Sequence, residues 1–374
     1  MINRLVIKEA KTRADFKAFV NFQFKLYKGH KFWIPPIKKD EIKALTPKSN
    51  PAYKFCEAKH WMAINDGICV GRISAIINKK YNEKTGVSYG RFSRIEFIDS
   101  AQVFDLLMET AENWFRGENL EKIHGPLGFS NLDTQGLLID GFDHLPSIAS
   151  VYHLPYYKDY FDRRGYEKEN DWVEFRLTLS ENAVNKAARG AAIIQKRGGF
   201  ELVKVSSKKE LQKYAHRIFE ILNDAFGELP YVIELNDDMI ELYTKKYFEV
   251  LDPRFITLVK KDGVLVGFFV GLPSLSEAMQ KANGKLFPFG FTHVLKALKN
   301  PKVIDMMLTG VLHEYHASGV AVILIGELQR TMMELGIDQM ETTGIFEDNH
   351  NVISNWKNYD HIQHKRRRCY VKHL

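Results

Sequence analysis

Between Met306 and Gly336 the chain reads as a short apolar strand, a small-residue turn and a helix that closes on glycine, and that order leaves few folds open. Met306–Val311 is apolar and of strand length, whereas Val322–Leu335 places its apolar residues at helical spacing and Gly336 gives a C-cap signal. The join, His316-Ala-Ser-Gly-Val-Ala321, is made of small residues. Backbone N–H groups at such a helix head point one way, and the helix dipole adds positive potential there. Both favour a phosphate, and Gly319 keeps a Cβ out of a ligand's path. Most strand-to-helix joins bind nothing, so the flanking residues must decide.

They narrow the reading. Val311-Leu-His-Glu-Tyr-His316-Ala-Ser-Gly319-Val-Ala321 resembles the acyl-CoA pyrophosphate loop of the GNAT superfamily of acetyltransferases, in which a strand ending in valine leads into Arg/Gln-x-x-Gly-x-Gly/Ala. Gly319 and Ala321 match, and His316 stands where arginine or glutamine is usual. The resemblance implies acetyl-CoA or another acyl-CoA as cosubstrate, and no metal. The pyrophosphate is expected on His316, Ala317, Ser318, Gly319, Val320 and Ala321, with pantetheine along the strand edge that reaches Val311 and Leu312. Further on, Asn349-His-Asn-Val352-Ile-Ser-Asn-Trp356 is similar to the family's Asn-x-x-Ala-x-x-x-Tyr signature, which adds Asn349 to the cofactor contacts. Trp356 falls on the tyrosine, which weakens the case for the family's usual general acid there. Glu314, with His313 beside it, is therefore the candidate base, and Tyr359, with Tyr315 as alternative, the candidate acid for the leaving thiolate.

The architecture occurs twice. An Asp66-Gly67 hairpin joins apolar runs at Lys59–Ile64 and Ile68–Asn78, and Asp262-Gly263 does the same before Val264–Leu272. Gly267 repeats the position of Gly71. In the first half the strand Phe92–Ile98 leads into a helix at Ala101–Phe115, yet Ala101, Val103 and Ile98 occupy the phosphate-loop positions and Asp99 would repel a pyrophosphate. Phe161 takes the place of that half's tyrosine. The expected fold is α/β (α+β): two tandem GNAT-like domains, each a mixed, mostly antiparallel twisted sheet flanked by helices. The expected boundaries are 1–179, a connecting helix at 180–199, and 200–374.

Between these landmarks, helices are expected at Thr12–Tyr27, Asp40–Leu45, Lys208–Phe226 and Asp237–Leu251, and an insertion at Pro273–Pro301. Gly125–Tyr157 is a long glycine- and aromatic-rich connection, either a wall of the acceptor site or a loop packed on the neighbouring domain.

Length suits two domains: 374 residues, 45% hydrophobic and 26% charged, is an ordinary globular balance. No apolar run approaches the ~20 residues that span a bilayer. Met1–Glu9 enters a strand pattern without a signal-peptide core, and Cys56, Cys69 and Cys369 lack metal-ligand spacing, so a reducing cytoplasm is expected. The formal charge of +7 is scattered apart from Lys365–Arg368, which reads as a solvated edge strand rather than a nucleic-acid patch. Three functions fit: an acyl-CoA-dependent N-acyltransferase with a small-molecule or peptide amine in an inter-domain cleft, a non-catalytic GNAT-fold binding protein, and an aminoacyl-tRNA-dependent transferase. The sequence sets no oligomeric state.

Overall fold

In the computed structural model, which describes residues 4–374, the chain forms two units. The first holds the residues up to Val173 together with Ser276–His293 and His364–Leu374; the second holds Glu174–Leu275 and Val294–Gln363. Met1–Asn3 of the expected N-terminal strand lie outside the described residues.

The first unit begins β1 (Leu5–Glu9), α1 (Arg13–Leu26), α2 (Lys38–Leu45), β2 (Cys56–Asn65), β3 (Ile68–Asn78) and α3 (Lys79–Thr85). It continues with β4 (Tyr89–Phe97), α4 (Ala101–Gly117), β5 (Lys122–Gly125), β6 (Leu137–Asp140), α5 (Tyr157–Arg163) and β7 (Glu167–Thr178). Thr12 starts α1 through a capping box with Asp15. Asp66 and Gly67 turn the β2–β3 hairpin with φ of 47° and 80°, the left-handed pair that such a two-residue turn requires. α4 buries Val103, Phe104, Leu107, Met108, Ala111 and Phe115 completely on the sheet. Each large apolar side chain on this face contributes roughly 1.5–3 kcal/mol by its burial.

The second half of the chain runs α6 (Glu181–Gly198), β8 (Phe200–Val203), α7 (Lys208–Gln212), α8 (Ala215–Phe226), α9 (Asp237–Tyr247), β9 (Ile256–Lys261) and β10 (Val264–Pro273). Then come α10 (Ser276–Ala282), α11 (Gly290–Lys299), β11 (Val303–Val311), α12 (Val320–Glu334), β12 (Gln339–Thr342), β13 (Ile345–Phe346), α13 (His350–Ile353) and β14 (Asp360–His373). Asp262 and Gly263 repeat the left-handed turn, at 50° and 79°. The two glycines of the repeat also correspond: a Cβ at Gly71 would lie 2.7 Å from Val103 and Leu107 of α4, and one at Gly267 would lie 2.7 Å from Val320 of α12. Each lets a helix press onto its sheet.

The first unit's strand order is β1-β2-β3-β4-β5-β14-β7, and the second's is β7-β12-β11-β10-β9-β8. In each sheet one neighbouring pair, β4/β5 or β11/β12, is parallel. β7 and β14 both cross the division between units: residues of β14 from His364 complete the first sheet, and residues of β7 from Glu174 complete the second. The expected boundaries at 179 and 200 thus give way to an exchange of strands. α6 is no connector, because it packs on α12 within the second unit, where Gly326 stands 3.5 Å from Ala191 by its projected Cβ.

Other expectations are corrected too. The helix at 208–226 is broken around Lys213-Tyr214, the connection after Gly125 contains β6, and the insertion is two helices. Lys365–Arg368 is neither a solvated edge nor an open basic patch. β14 is an inner strand of the first sheet, with Lys365 fully buried and Arg367 only 4% exposed. Each cation has a partner. Arg366 and Arg368 donate to Asp171 at 3.0 and 2.8 Å, Lys365 donates to the Gly141 carbonyl at 2.7 Å, and Arg367 reaches the Gln135 carbonyl and the Trp172 ring. Burial raises Asp171, but the two guanidinium bonds outweigh it and hold its carboxyl below the usual range.

Candidate functional site

β11 and β12 pair only from Val303 to Met306, opposite Gln339 to Thr342, and part beyond that point. On its other edge β11 stays paired with β10 as far as Val311, but the register slips so that Leu308 faces Val270 and Met306 faces Gly271. Met307 is thus a bulge, which bends the strand where its parallel neighbour leaves it. Met307, Leu308 and Thr309 lie along the freed edge and are half-exposed. The result is a fork in the sheet with an apolar lip.

From the fork β11 climbs to the predicted loop. Val311 is buried, and its carbonyl accepts a hydrogen bond from His316 Nε2 at 2.9 Å, which fixes the proton on that nitrogen. The Leu312 N–H donates to the Val266 carbonyl at 2.9 Å, and the His313 N–H donates to Asp224 Oδ2 at 2.7 Å. His313–Ser318 forms a single 3-10 turn in which the two imidazoles lie 4.8 Å apart and the Ser318 hydroxyl donates to the Tyr315 carbonyl at 2.6 Å. Ala317 is exposed, and Gly319 opens α12 with a φ of 83°. Gly319 is required for a second reason, since a Cβ there would sit 2.9 Å from Ile194 of α6. No side chain caps α12, and its first turn, with Val320 buried and Ala321 half-buried, carries no acid. The helix head therefore keeps its positive end, with no acid in its own first turn.

The proposed catalytic pair is separated. Glu314 is exposed on the turn, at the loop end of β11. From Met307 to Val311 the strand covers roughly 13 Å, so Glu314 stands far from the fork. Tyr359 is half-buried, and its hydroxyl donates to Gln329 Oε1 at 3.0 Å; burial raises its pKa, so it keeps its proton. Gln329 is ten positions past Gly319 in α12, or roughly 15 Å down the axis, which returns it to the level of the fork. Leu328 confirms the level by packing close to Ile304 at Gly271. Asn349 spends its side chain capping α13, accepting from the Val352 N–H at 3.2 Å. Trp356 is 2% exposed, and both its Nε1 and the Nε2 of fully buried Gln329 lack a protein partner.

Sequence reasoning missed an acidic pair at the fork. Asp305 and Glu341 are register partners on β11 and β12, one residue short of the parting. Burial, and after it the neighbouring Glu341 carboxylate, pushes Asp305 well above its ordinary range; a Ser274 hydrogen bond opposes this, Glu174 adds to it and Arg176 opposes it least. Glu341 in turn accepts from Arg176 at 3.0 Å. A protonated acid beside a guanidinium-paired one can hold and pass a proton. The signal was an acid inside each of two apolar runs, Val-Ile-Asp305-Met and Met-Glu341-Thr, legible only once the strands are known to pair.

Spacing also hid a cluster in the first unit. Glu169 Oε2 lies 3.1 Å from His124 Nδ1 and 3.3 Å from Cys369 Sγ, a donor set that could in principle hold a metal but is already joined by hydrogen bonds.

No family model matches the chain. It is 27% identical over 366 residues to Protein YghO of Escherichia coli strain K12, across 96% of this chain and 93% of that one. It is 29% identical over 375 residues to a bacterial ceramide synthase of Caulobacter vibrioides, across 97% and 96%. Among solved structures, a tandem GNAT protein from the clavulanic acid biosynthesis pathway aligns over 99% of this chain and 98% of its own, with a TM-score of 0.56 at 14% identity. The fold is that of the tandem GNAT proteins.

Proposed function

We propose that the protein is an acyl-CoA-dependent N-acyltransferase in which the second unit binds the cosubstrate. One observation carries this reading: a fork with a half-exposed strand edge leads up, in the same unit, to a helix whose first turn holds no acid and no side-chain cap. The pyrophosphate would lie on the backbone of Ala317–Ala321 and the pantetheine along Leu308–Leu312. The thioester then falls near the fork, at the level of Gln329. There an amine attacks the thioester carbonyl carbon, the C–N bond forms and the C–S bond breaks. The thiolate takes a proton from Tyr359, and the ammonium proton passes to the Asp305/Glu341 pair. Trp356 Nε1 and Gln329 Nε2, both buried donors, suit the oxygen on which charge develops. Glu314, exposed beside the helix head, is better placed to bound the CoA end than to act as base. The name of the Caulobacter vibrioides relative supports a long-chain acyl group and a long-chain amino alcohol, since ceramide is the amide of these.

A non-catalytic binding protein is the second reading, favoured by a tryptophan at the family's tyrosine position. The aminoacyl-tRNA reading rests only on the overall basic balance, since the one dense basic run, Lys365–Arg368, is paired within its own unit. Thermal stability against CoA, acetyl-CoA and long-chain acyl-CoA tests binding. Ligand at one hundred times its dissociation constant should stabilise by about 2.7 kcal/mol. Incubation with long-chain amines, read as thiol release and amide mass, then separates enzyme from binder. No stabilisation by any CoA species would remove both the loop assignment and the acyltransferase reading.

A further inference from the structure

Leu286–Phe291 turns tightly between α10 and α11 and carries its apolar side chains outward. Phe287 and Phe289 are 77% and 73% exposed, and Phe291 and Leu295 follow at 36% and 57%. The exposure does not come from slackness. The Phe291 N–H donates to the Leu286 carbonyl at 2.7 Å, the Thr292 N–H donates to the Phe289 carbonyl at 3.1 Å, and Phe287 lies 5.4 Å from Phe291, ring to ring. The base of the turn is pinned within the first unit. Ser276 Oγ donates to the Pro146 carbonyl at 2.7 Å, Gln280 Nε2 donates to the Lys31 carbonyl at 2.7 Å, and the Lys38 N–H donates to the Gly284 carbonyl at 3.1 Å. A hydrogen-bonded, anchored turn thus holds large rings in water, where each forgoes the favourable burial that a partner would give.

The charge around them says which partner. From Ala278 to Ile304 the sequence has five lysines, Lys281, Lys285, Lys296, Lys299 and Lys302, and neither aspartate nor glutamate. All five are exposed. The chain as a whole is nearly balanced, with 53 basic and 46 acidic residues, so this is a local excess. Among the described residues the other exposed large apolar side chains, such as Ile68, Ile193 and Val264, occur singly along the chain. Protruding phenylalanines with exposed lysines on the same stretch, Lys281 and Lys285 leading into the turn, match the headgroup–acyl boundary of an anionic bilayer, with rings in the boundary and ammonium groups on phosphates.

We propose that Leu286–Phe291, within the first unit, is a membrane-docking element that seats the protein on bilayers containing anionic phospholipid. No described helix is long and apolar enough to cross a membrane, so attachment through this element is peripheral. The proposal does not depend on the acyltransferase reading.

Co-sedimentation of the full chain with vesicles tests it, using phosphatidylcholine alone and phosphatidylcholine mixed with phosphatidylglycerol. Wild type should bind the anionic vesicles and release as salt rises. Phe287→Ser/Phe289→Ser should weaken binding by roughly tenfold for each ring, about a hundredfold together, with an unchanged melting temperature because neither ring is in the core. Lys281→Glu/Lys285→Glu should abolish the preference for phosphatidylglycerol while leaving the melting temperature in place. Failure of wild type to bind either vesicle, or undiminished binding by the serine variant, overturns the proposal. So does a smaller species for the serine variant than for wild type in gel filtration, which would make the turn a contact between copies.

Discussion

β4 and β5 in the first unit and β11 and β12 in the second run parallel for a few residues and then part, and in each unit the longer strand bulges beside the parting. In the first unit the space is filled by the unit's own chain. Past Gly125 the loop turns back over β4: the Leu127 N–H donates to the Phe92 carbonyl at 2.8 Å, and Arg91 donates to the Gly128 carbonyl at 3.2 Å. Gly125 allows it, since a Cβ there would meet the Phe92 oxygen at 2.3 Å. Further along, the Phe97 N–H donates to the Tyr157 hydroxyl at 3.0 Å, and Tyr160 donates to Asp99 at 2.7 Å near the head of α4. Gly125–Tyr157, read from the sequence as either a wall of the acceptor site or a loop on the neighbouring domain, packs on its own unit instead. The second unit keeps Met307–Thr309 half-exposed. The same frame therefore becomes scaffold or candidate site according to what its loops do with the free strand edge.

The strongest way to break the contrast is to unlock the closed unit. Asp171→Ala should cost about 3–5 kcal/mol in urea unfolding, because Arg366 and Arg368 would be left within the sheet without their carboxylate. A small loss would mean that β14 is held loosely. Next, Ala321→Asp should abolish the CoA-dependent stabilisation of about 2.7 kcal/mol and copy the first unit's acid near a helix head. Without ligand it should raise stability by about 0.3–1 kcal/mol through the helix dipole, so lost binding could not be blamed on unfolding. It is a cleaner probe than a substitution at Gly319, where the left-handed φ and Ile194 both resist a side chain.

Asp305 gives a pH signature. Its folded pKa is raised above the unfolded value near 3.8, so the folded state binds the proton more tightly. Its contribution to stability is full below that unfolded value and declines as pH rises towards the folded pKa. Wild type should lose up to about 1.4 kcal/mol per pH unit through this window relative to Asp305→Asn, measured by urea midpoints across a pH series. Smallest is Asp99→Ala, expected within about 0.5 kcal/mol of wild type. Calorimetry should still find one CoA per chain, because the first fork stays packed; a second bound CoA would erase the contrast.

The frame was legible where local chemistry decides it. The two Asp-Gly turns, the paired glycines Gly71 and Gly267, and the strand–turn–helix at Met306–Gly336 all stand where the residues placed them. What failed to show was pairing across long distances. Arg366 looked solvated because its carboxylate partner lies 195 positions away, and Asp305 looked incidental because Glu341 joins it only through strand register. The packing of Leu127 on Phe92 had no periodic signal at all, since it depends on one glycine at a φ of 149°.

The exchange of strands also constrains how such a chain can be made and inherited. The first sheet is incomplete until residues His364–Leu374 have left the ribosome, so the half that is synthesised first cannot be the half that finishes folding first. For the same reason a cut in the gene at the midpoint would leave each fragment missing a strand. Two units tied in this way stand or fall together, even though the first unit's own fork is closed.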